Sequence, residues 1–337
     1  MNNNKKPFAA LGAGSWGTAL AIQLARAGHS VQLWSHNDEH YEAMRGAGSN
    51  ERFLPGIKFP AGLTPTRDLQ ATITQAADIL VVVPSHAFRE TVHKLKPFLT
   101  AEHRLAWGTK GLEQGTRKLL HRIVGEELGI TVPIAVVSGP TFAKEVAQGL
   151  PGAITVASKD SQFANDLATA LHSEYFLTYT SDDLVGVEIG GAAKNVMAIA
   201  AGIADGMGFG TNTRAALITR GLNEIMRLGV ALGGQRETFM GLSGLGDLVL
   251  TCSDDQSRNR RFGLALGRGM DVESARKSIN QVVEGIGTAK TLFLLSQDTG
   301  VDMPITEQVY KVIYEGQSPQ DAVHILMDRK PKPENDN

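Results

Sequence analysis

An apolar stretch at Phe8–Leu11 runs directly into Gly12-Ala-Gly14-Ser-Trp-Gly17. A segment of small and apolar residues from Ser15 to Ala27 follows, closed by Gly28, and a second apolar stretch spans Val31–Trp34. Nothing else in the chain narrows its fold as much. A bare Gly-x-Gly-x-x-Gly is a weak signal. Strand, glycines, helix and strand at this spacing together make the fingerprint of an α/β unit that seats a dinucleotide. The first glycine permits a tight turn, the second lets a pyrophosphate approach the backbone, and the third lets helix and strand pack closely. The N–H groups at the start of the helix then face the phosphates.

Such a unit usually carries an acid at the end of its second strand, where it binds the adenosine ribose. Here the strand ends in Trp34-Ser35-His36. A neutral or cationic residue tolerates the 2′-phosphate of NADP, so the expected cofactor is NADP(H) or NAD(H), with NADPH preferred. His36-Asn-Asp-Glu39-His40 also spells an inverted zinc-protease pattern. That chemistry needs a helix beside a substrate cleft and a third ligand, so no metal is expected.

Residues 46–66, rich in glycine and proline, read as a loop. Asp78–Val83 reads as a strand, fully apolar after Asp78, as a strand buried on both sides of a parallel sheet must be. Pro84-Ser85 breaks it before a helix at His86–Leu95. Leu105–Trp107 is another strand, followed by Gly108-Thr-Lys-Gly111. That run lacks P-loop spacing, but it puts Lys110 at a strand's carboxyl end, where open α/β sheets bind ligands. Ile134–Val137 leads through Ser138-Gly-Pro-Thr141 into a short helix, Phe142–Gln148. Strands at Ala153–Ala157 and Phe176–Thr180, around a helix near 162–171, complete the sheet.

After Ser181-Asp-Asp the strand pattern stops, and helices are expected at about 184–206, 212–232, 259–268, 273–280, 288–298 and 305–315. The chain therefore reads as α/β, with a Rossmann-type dinucleotide-binding domain over 1–183 and an all-α C-terminal domain over 184–329. The Lys/Pro/Asn tail 330–337 reads as disordered. The first helix of the second domain holds three glycines in its first half, each costing about 0.5–1 kcal/mol against alanine. Lys194 follows Gly190 and Gly191 at i+4 and i+3, and helical side chains lean over the preceding turn. A backbone-floored notch with one cation across it is the expectation. Glu188, Lys194 and Asn195 interrupt the run too often for a membrane span. Farther on, Asp247 is the one charge in an apolar run, and Ser257 caps a helix whose start, with Arg258, suits a mono-phosphate. Cys252 has no histidine near it in sequence and makes a poor candidate nucleophile.

Of the 337 residues, 33 are Lys or Arg and 35 are Asp or Glu, a net charge of −2 that gives no case for nucleic acid or an anionic membrane. A single cysteine fits a reducing compartment, and no signal-peptide apolar region follows the N-terminus, so a cytoplasmic location is expected.

The chain resembles the bacterial NAD(P)-dependent glycerol-3-phosphate dehydrogenase family over nearly its whole length. The resemblance rests on Gly-Ala-Gly-Ser-Trp-Gly at 12–17, Gly-Thr-Lys-Gly at 108–111 and Ser-Gly-Pro-Thr-Phe-Ala-Lys-Glu at 138–145. It extends through Gly-Gly-Ala-Ala-Lys-Asn-Val at 190–196, Gly-Leu-Gly-Asp-Leu at 244–248 and Ser-Arg-Asn-Arg at 257–260. It implies interconversion of dihydroxyacetone phosphate and sn-glycerol 3-phosphate for phospholipid synthesis, by a homodimer, with Lys194 catalytic. Cofactor positions fall on Gly12, Gly14, Ser15, Trp16, Gly17, His36, Lys110, Ala143, Arg258, Val282 and Glu284. Substrate positions fall on Lys110, Gly139, Thr141, Lys194, Asp247, Ser257, Arg258 and Asn259. Thr141 stands where many relatives have Ser, and His36 where many have Arg. Two alternatives stay open: a 3-hydroxyacid or 6-phosphogluconate type of dehydrogenase, and a nucleotide-sensing module without turnover.

Overall fold

The computed structural model describes residues 7–129, 132–279 and 281–328. Its eight strands are β1 (Phe8–Leu11), β2 (Val31–Trp34), β3 (Leu63–Thr66), β4 (Asp78–Val81), β5 (Arg104–Trp107), β6 (Ile134–Ser138), β7 (Gly152–Ala157) and β8 (Phe176–Ser181). They form one sheet in the order β3-β2-β1-β4-β5-β6-β7-β8, parallel except between β6 and β7. Strand order reverses between β1 and β4, where Leu11 pairs with Val81, and ligands of open α/β sheets bind outside such a switch point.

The strand residues alternate between two cores. Ala10, Leu33, Leu80, Ala106 and Val137 pack on one face, beneath the Ser15–Arg26 helix, while Leu11, Ile79, Val81, Leu105 and Trp107 fill the other. With both faces covered, the strands read as continuous apolar runs. The stretch 46–66 is not all loop, because β3 lies inside it. β3 pairs only with β2, and an edge strand tolerates Pro65, whose missing N–H breaks no central ladder. Helices at Asp38–Ala47, Leu69–Gln75 and Leu120–Leu128 also went unread. The first of these buries only His40 and Met44, too few to make a helical period, although Asn37 caps it by accepting from the His40 N–H at 2.7 Å.

Beyond Ser181 the described residues hold helices and no strand. The long helix Leu184–Gly206 opens with Asp183 as cap, its Oδ1 accepting from the Gly186 N–H at 2.8 Å. Leu184 and Val187 pack into the sheet-side core, whereas the helix from Ile189 to Ile203 forms the spine of the helical core. Glu188 sits at the changeover, where its carboxylate accepts from the backbone N–H of His121 at 2.9 Å and meets His121 Nδ1 at 2.5 Å. This helix is long and apolar enough to cross a membrane, but 89% of its apolar window is buried in the protein. In the second half, Arg236–Met240, Asp247–Ser253 and Pro319–Met327 are helices absent from the sequence expectation. The tail 330–337 lies outside the described residues.

Candidate active site

The glycine turn has the shape its sequence requires. Gly12 has φ +116°, a left-handed conformation, and a Cβ there would lie 2.4 Å from the Val82 carbonyl oxygen. A Cβ on Gly17 would fall 2.0 Å from the Gly12 oxygen, so helix and turn touch. Gly14 differs: a Cβ there meets nothing within 4 Å, which leaves open space beside the uncapped start of the Ser15–Arg26 helix. Free N–H groups over an open floor fit a pyrophosphate. Asn50, fully buried, holds this turn by donating to the Ala13 oxygen at 2.9 Å and to Thr18 Oγ1 at 2.8 Å. Its own oxygen meets His40 Nε2 at 2.9 Å, and His40 Nδ1 lies 3.4 Å from Ser35 Oγ. The zinc-like pattern is thus divided between a buried, bonded His40 and an exposed His36, whose ring leans on Trp34.

Beside the turn, β5 delivers Gly108-Thr-Lys-Gly111. Thr109 Oγ1 donates to the Val83 oxygen at 2.8 Å, and Lys110 reaches forward with its ammonium 6.0 Å from the Trp16 ring centroid. Lys110 Nζ donates to Asp247 Oδ2 at 2.6 Å and to the Gly139 oxygen at 3.4 Å. From the helical side, Lys194 Nζ donates to the other oxygen of the same carboxylate, Oδ1. Thr141 Oγ1 donates to the Gly139 oxygen at 3.2 Å. Two ammoniums therefore share one fully buried aspartate where the sheet edge meets the helical domain. Burial pushes the Lys194 ammonium down to about 7, with Asp247 opposing the shift and Lys110 adding to it.

The glycines before Lys194 do not leave the open notch expected of them. A Cβ on Gly190 would lie 2.4 Å from the Ser243 carbonyl oxygen, and one on Gly191 2.7 Å from Ser138 Oγ. The space belongs to neighbouring protein. A π-helical turn at Leu242–Gly246 presses against the helix backbone and thereby delivers Asp247, the first residue of the next helix, to Lys194.

The third component is the start of the Arg258–Gly267 helix. Ser257 caps it, Oγ accepting from the Arg260 N–H at 3.2 Å. Asn259 Nδ2 donates to Asn195 Oδ1 at 2.9 Å, and Asn259 Oδ1 accepts from the Gly285 N–H at 2.9 Å. Arg258 is half-buried; burial lowers its pKa and Glu284 opposes this. Burial raises the Glu284 carboxyl, against a hydrogen bond from Ser85 Oγ at 3.2 Å and the charges of His86 and Arg258. Ser15 donates from Oγ to the Phe53 oxygen at 3.0 Å, Ala143 opens the short Ala143–Gln148 helix, and Val282 is half exposed. His36 stands apart from the lysine pair, at the end of β2. Cys252 is buried and its thiol is pushed up to about 12 by burial, which removes it as a nucleophile. Sequence reading missed Asn50, Ser85 and the Glu188–His121 pair. Asn195 was within reach, since it adjoins Lys194.

A Rossmann-type nucleotide turn and a buried, charge-tuned lysine at the same sheet edge define a two-domain nicotinamide-linked dehydrogenase. The family described as NAD-dependent glycerol-3-phosphate dehydrogenase matches residues 7–164 through its N-terminal part and 183–324 through its C-terminal part. A glycerol-3-phosphate dehydrogenase (NAD(P)+) of Thioalkalivibrio sulfidiphilus is 56% identical over 98% of this chain and 99% of its own length. One from Haemophilus influenzae is 54% identical over 99% of this chain and 100% of its own. The crystal structure of glycerol-3-phosphate dehydrogenase from Coxiella burnetii superposes with a TM-score of 0.93 at 51% identity, covering 96% of this chain and 99% of that one. The chain belongs to the NAD-dependent glycerol-3-phosphate dehydrogenase family, and it is an NAD(P)-dependent oxidoreductase. A ketopantoate reductase from Ralstonia eutropha, at 17% identity and a TM-score of 0.58, shares the fold alone.

Proposed function

We propose that this chain interconverts dihydroxyacetone phosphate and sn-glycerol 3-phosphate with Lys194 as the proton-transferring group, feeding phospholipid synthesis. The observation that carries the proposal is the Lys194–Asp247–Lys110 constellation, in which a buried ammonium is tuned to about 7. Gly12, Gly14, Ser15, Trp16, Gly17 and His36 would hold the cofactor, with Lys110, Ala143, Arg258, Val282 and Glu284 completing its site. When bound, the nicotinamide cofactor would supply the hydride that the substrate's carbonyl carbon takes up. The carbonyl oxygen then gains negative charge, which the Lys194 ammonium stabilises before giving up its proton. Asp247 keeps that ammonium in place, and Lys110 holds the substrate's polar atoms with Gly139 and Thr141. Ser257, Arg258 and Asn259 take the phosphate, far from the reacting carbon, where it provides binding energy and orientation. In the reverse direction Lys194 is the base.

The purified chain should oxidise NADPH or NADH when dihydroxyacetone phosphate is added and leave it unchanged with 3-oxoacids. Equal turnover of a 3-oxoacid, or none of the triose phosphate, would overturn the proposal. A cytoplasmic homodimer completes the reading; sedimentation at catalytic concentration tests the dimer.

A further inference from the structure

We infer that Arg260, to which no ligand contact is assigned, is a positioning residue that sets the place of the Ser257-Arg258-Asn259 turn relative to Lys194. The inference rests on the reading of that turn as the phosphate site.

A cation in the first turn of a helix opposes the helix dipole, so an arginine there needs a reason. The Arg260 side chain turns away from the helix start and is buried. Its Nε donates to the Cys252 carbonyl oxygen at 3.1 Å, its Nη2 donates to Asp205 Oδ2 at 2.6 Å, and its Nη1 pairs with Asp255. Its backbone N–H donates to the cap, Ser257 Oγ. One guanidinium thus joins three pieces of chain. The first is the Asp247–Ser253 helix that carries Asp247, and the second is the turn that leads to Ser257. The third is the far end of the helix that carries Lys194. Asp205 is itself held by Arg214 Nη1 at 2.8 Å. The two helices also touch through backbone: a Cβ on Gly202 would lie 2.2 Å from the Arg260 oxygen. At one end Asn259 ties the turn to Asn195, beside Lys194, at 2.9 Å, and the Arg260 bridge sets the angle and depth of the turn from the other end, so that the span from Lys194 matches the distance between carbonyl and phosphate in the substrate. Lysine keeps the charge but loses the planar fork that serves three acceptors at once.

The test compares wild type, Arg260→Lys and Asp205→Asn, each checked for folding by its melting temperature. The quantities measured are KM for dihydroxyacetone phosphate, competitive inhibition by inorganic phosphate, and kcat/KM for dihydroxyacetone without phosphate. In both variants KM for the phosphate ester and the inhibition constant of inorganic phosphate should rise roughly 10- to 100-fold, the scale of a weakened hydrogen bond to a charged group. Turnover of unphosphorylated dihydroxyacetone should stay within about twofold of wild type, since the lysine end is spared. Unchanged phosphate constants in a folded variant would overturn the inference. So would an equal loss on both substrates, which marks general loosening. If Arg260→Lys does not fold, Asp205→Asn, altered from the opposite helix, decides alone by the same criteria. If wild type ignores inorganic phosphate and turns over both substrates alike, the phosphate reading of the turn itself fails, and the inference with it.

Discussion

Lys110 and Asp247 are 137 residues apart in sequence, yet Lys110 Nζ donates to Asp247 Oδ2 at 2.6 Å across the meeting of sheet edge and helical domain. The other oxygen of that carboxylate takes Lys194. In the proposed reaction the Lys194 ammonium is the proton donor for reduction, and burial pushes it down to about 7, so kcat/KM for ketone reduction should fall as pH rises past that value while the reverse oxidation gains. Asp247 holds the lysine's pKa up. Asp247→Asn should therefore move the falling limb of the reduction profile to lower pH and reduce its plateau. A limb that stays in place would show that Asp247 does not set the lysine's charge.

Two glycines should respond in opposite ways to alanine. Gly190→Ala drives a Cβ against the Ser243 carbonyl and must part the central helix from the turn that delivers Asp247. Overpacking of this kind costs about 1–3 kcal/mol, so the melting temperature and kcat should fall together. Gly14→Ala meets open space and should melt like wild type while its KM for NADPH rises. Equal melting temperatures for Gly190→Ala and Gly14→Ala would contradict this.

His36 is exposed at the end of β2, where the adenosine ribose is read. Its imidazole can hydrogen-bond a 2′-phosphate, whereas arginine gives a full charge and a planar fork. NADPH should be preferred over NADH. His36→Arg should strengthen the preference, and His36→Asp should reverse it. The ratio of kcat/KM for the two cofactors in the three proteins checks this, and a ratio indifferent to His36→Asp would remove this residue from cofactor choice.

Glu224 gives a pH signature in stability. It is buried and accepts from the N–H groups of Ile305 at 2.6 Å and Thr306 at 3.2 Å, and burial raises its pKa from 4.5 to about 7. Between those values the folded state binds more protons than the unfolded state, so this group's contribution is full below 4.5 and is lost as pH rises through about 7. Wild type should lose melting temperature relative to Glu224→Gln over that interval. Parallel curves would show that Glu224 is charged in the fold throughout.

Much of this was open to reading because buried parallel strands are continuous apolar runs and the glycine turn has a fixed spacing. What stayed hidden had no local mark. β3 carries Pro65 and a single buried leucine, and edge strands need little else. Asn50 clamps the nucleotide turn from within a loop, where an asparagine reads as turn chemistry. Gly190 was rightly singled out for needing space, but that space serves the backbone at Ser243, a contact made 53 residues downstream that periodicity cannot show. The first turn at Ser257 suggested phosphate through its charges, while the bonds of Arg260 to Asp205 and Cys252 depend on tertiary packing.

The most direct test of the account is the rate at which NADPH is oxidised by saturating dihydroxyacetone phosphate in Lys194→Ala, with NADPH affinity measured separately by binding. The rate should fall roughly 10²- to 10⁴-fold, the usual loss for a missing general acid, while NADPH affinity stays within about twofold of wild type, because Lys194 bonds Asp247 and not the glycine turn proposed to hold the cofactor. A mutant that turns over at the wild-type rate would place the proton on another residue and contradict the account.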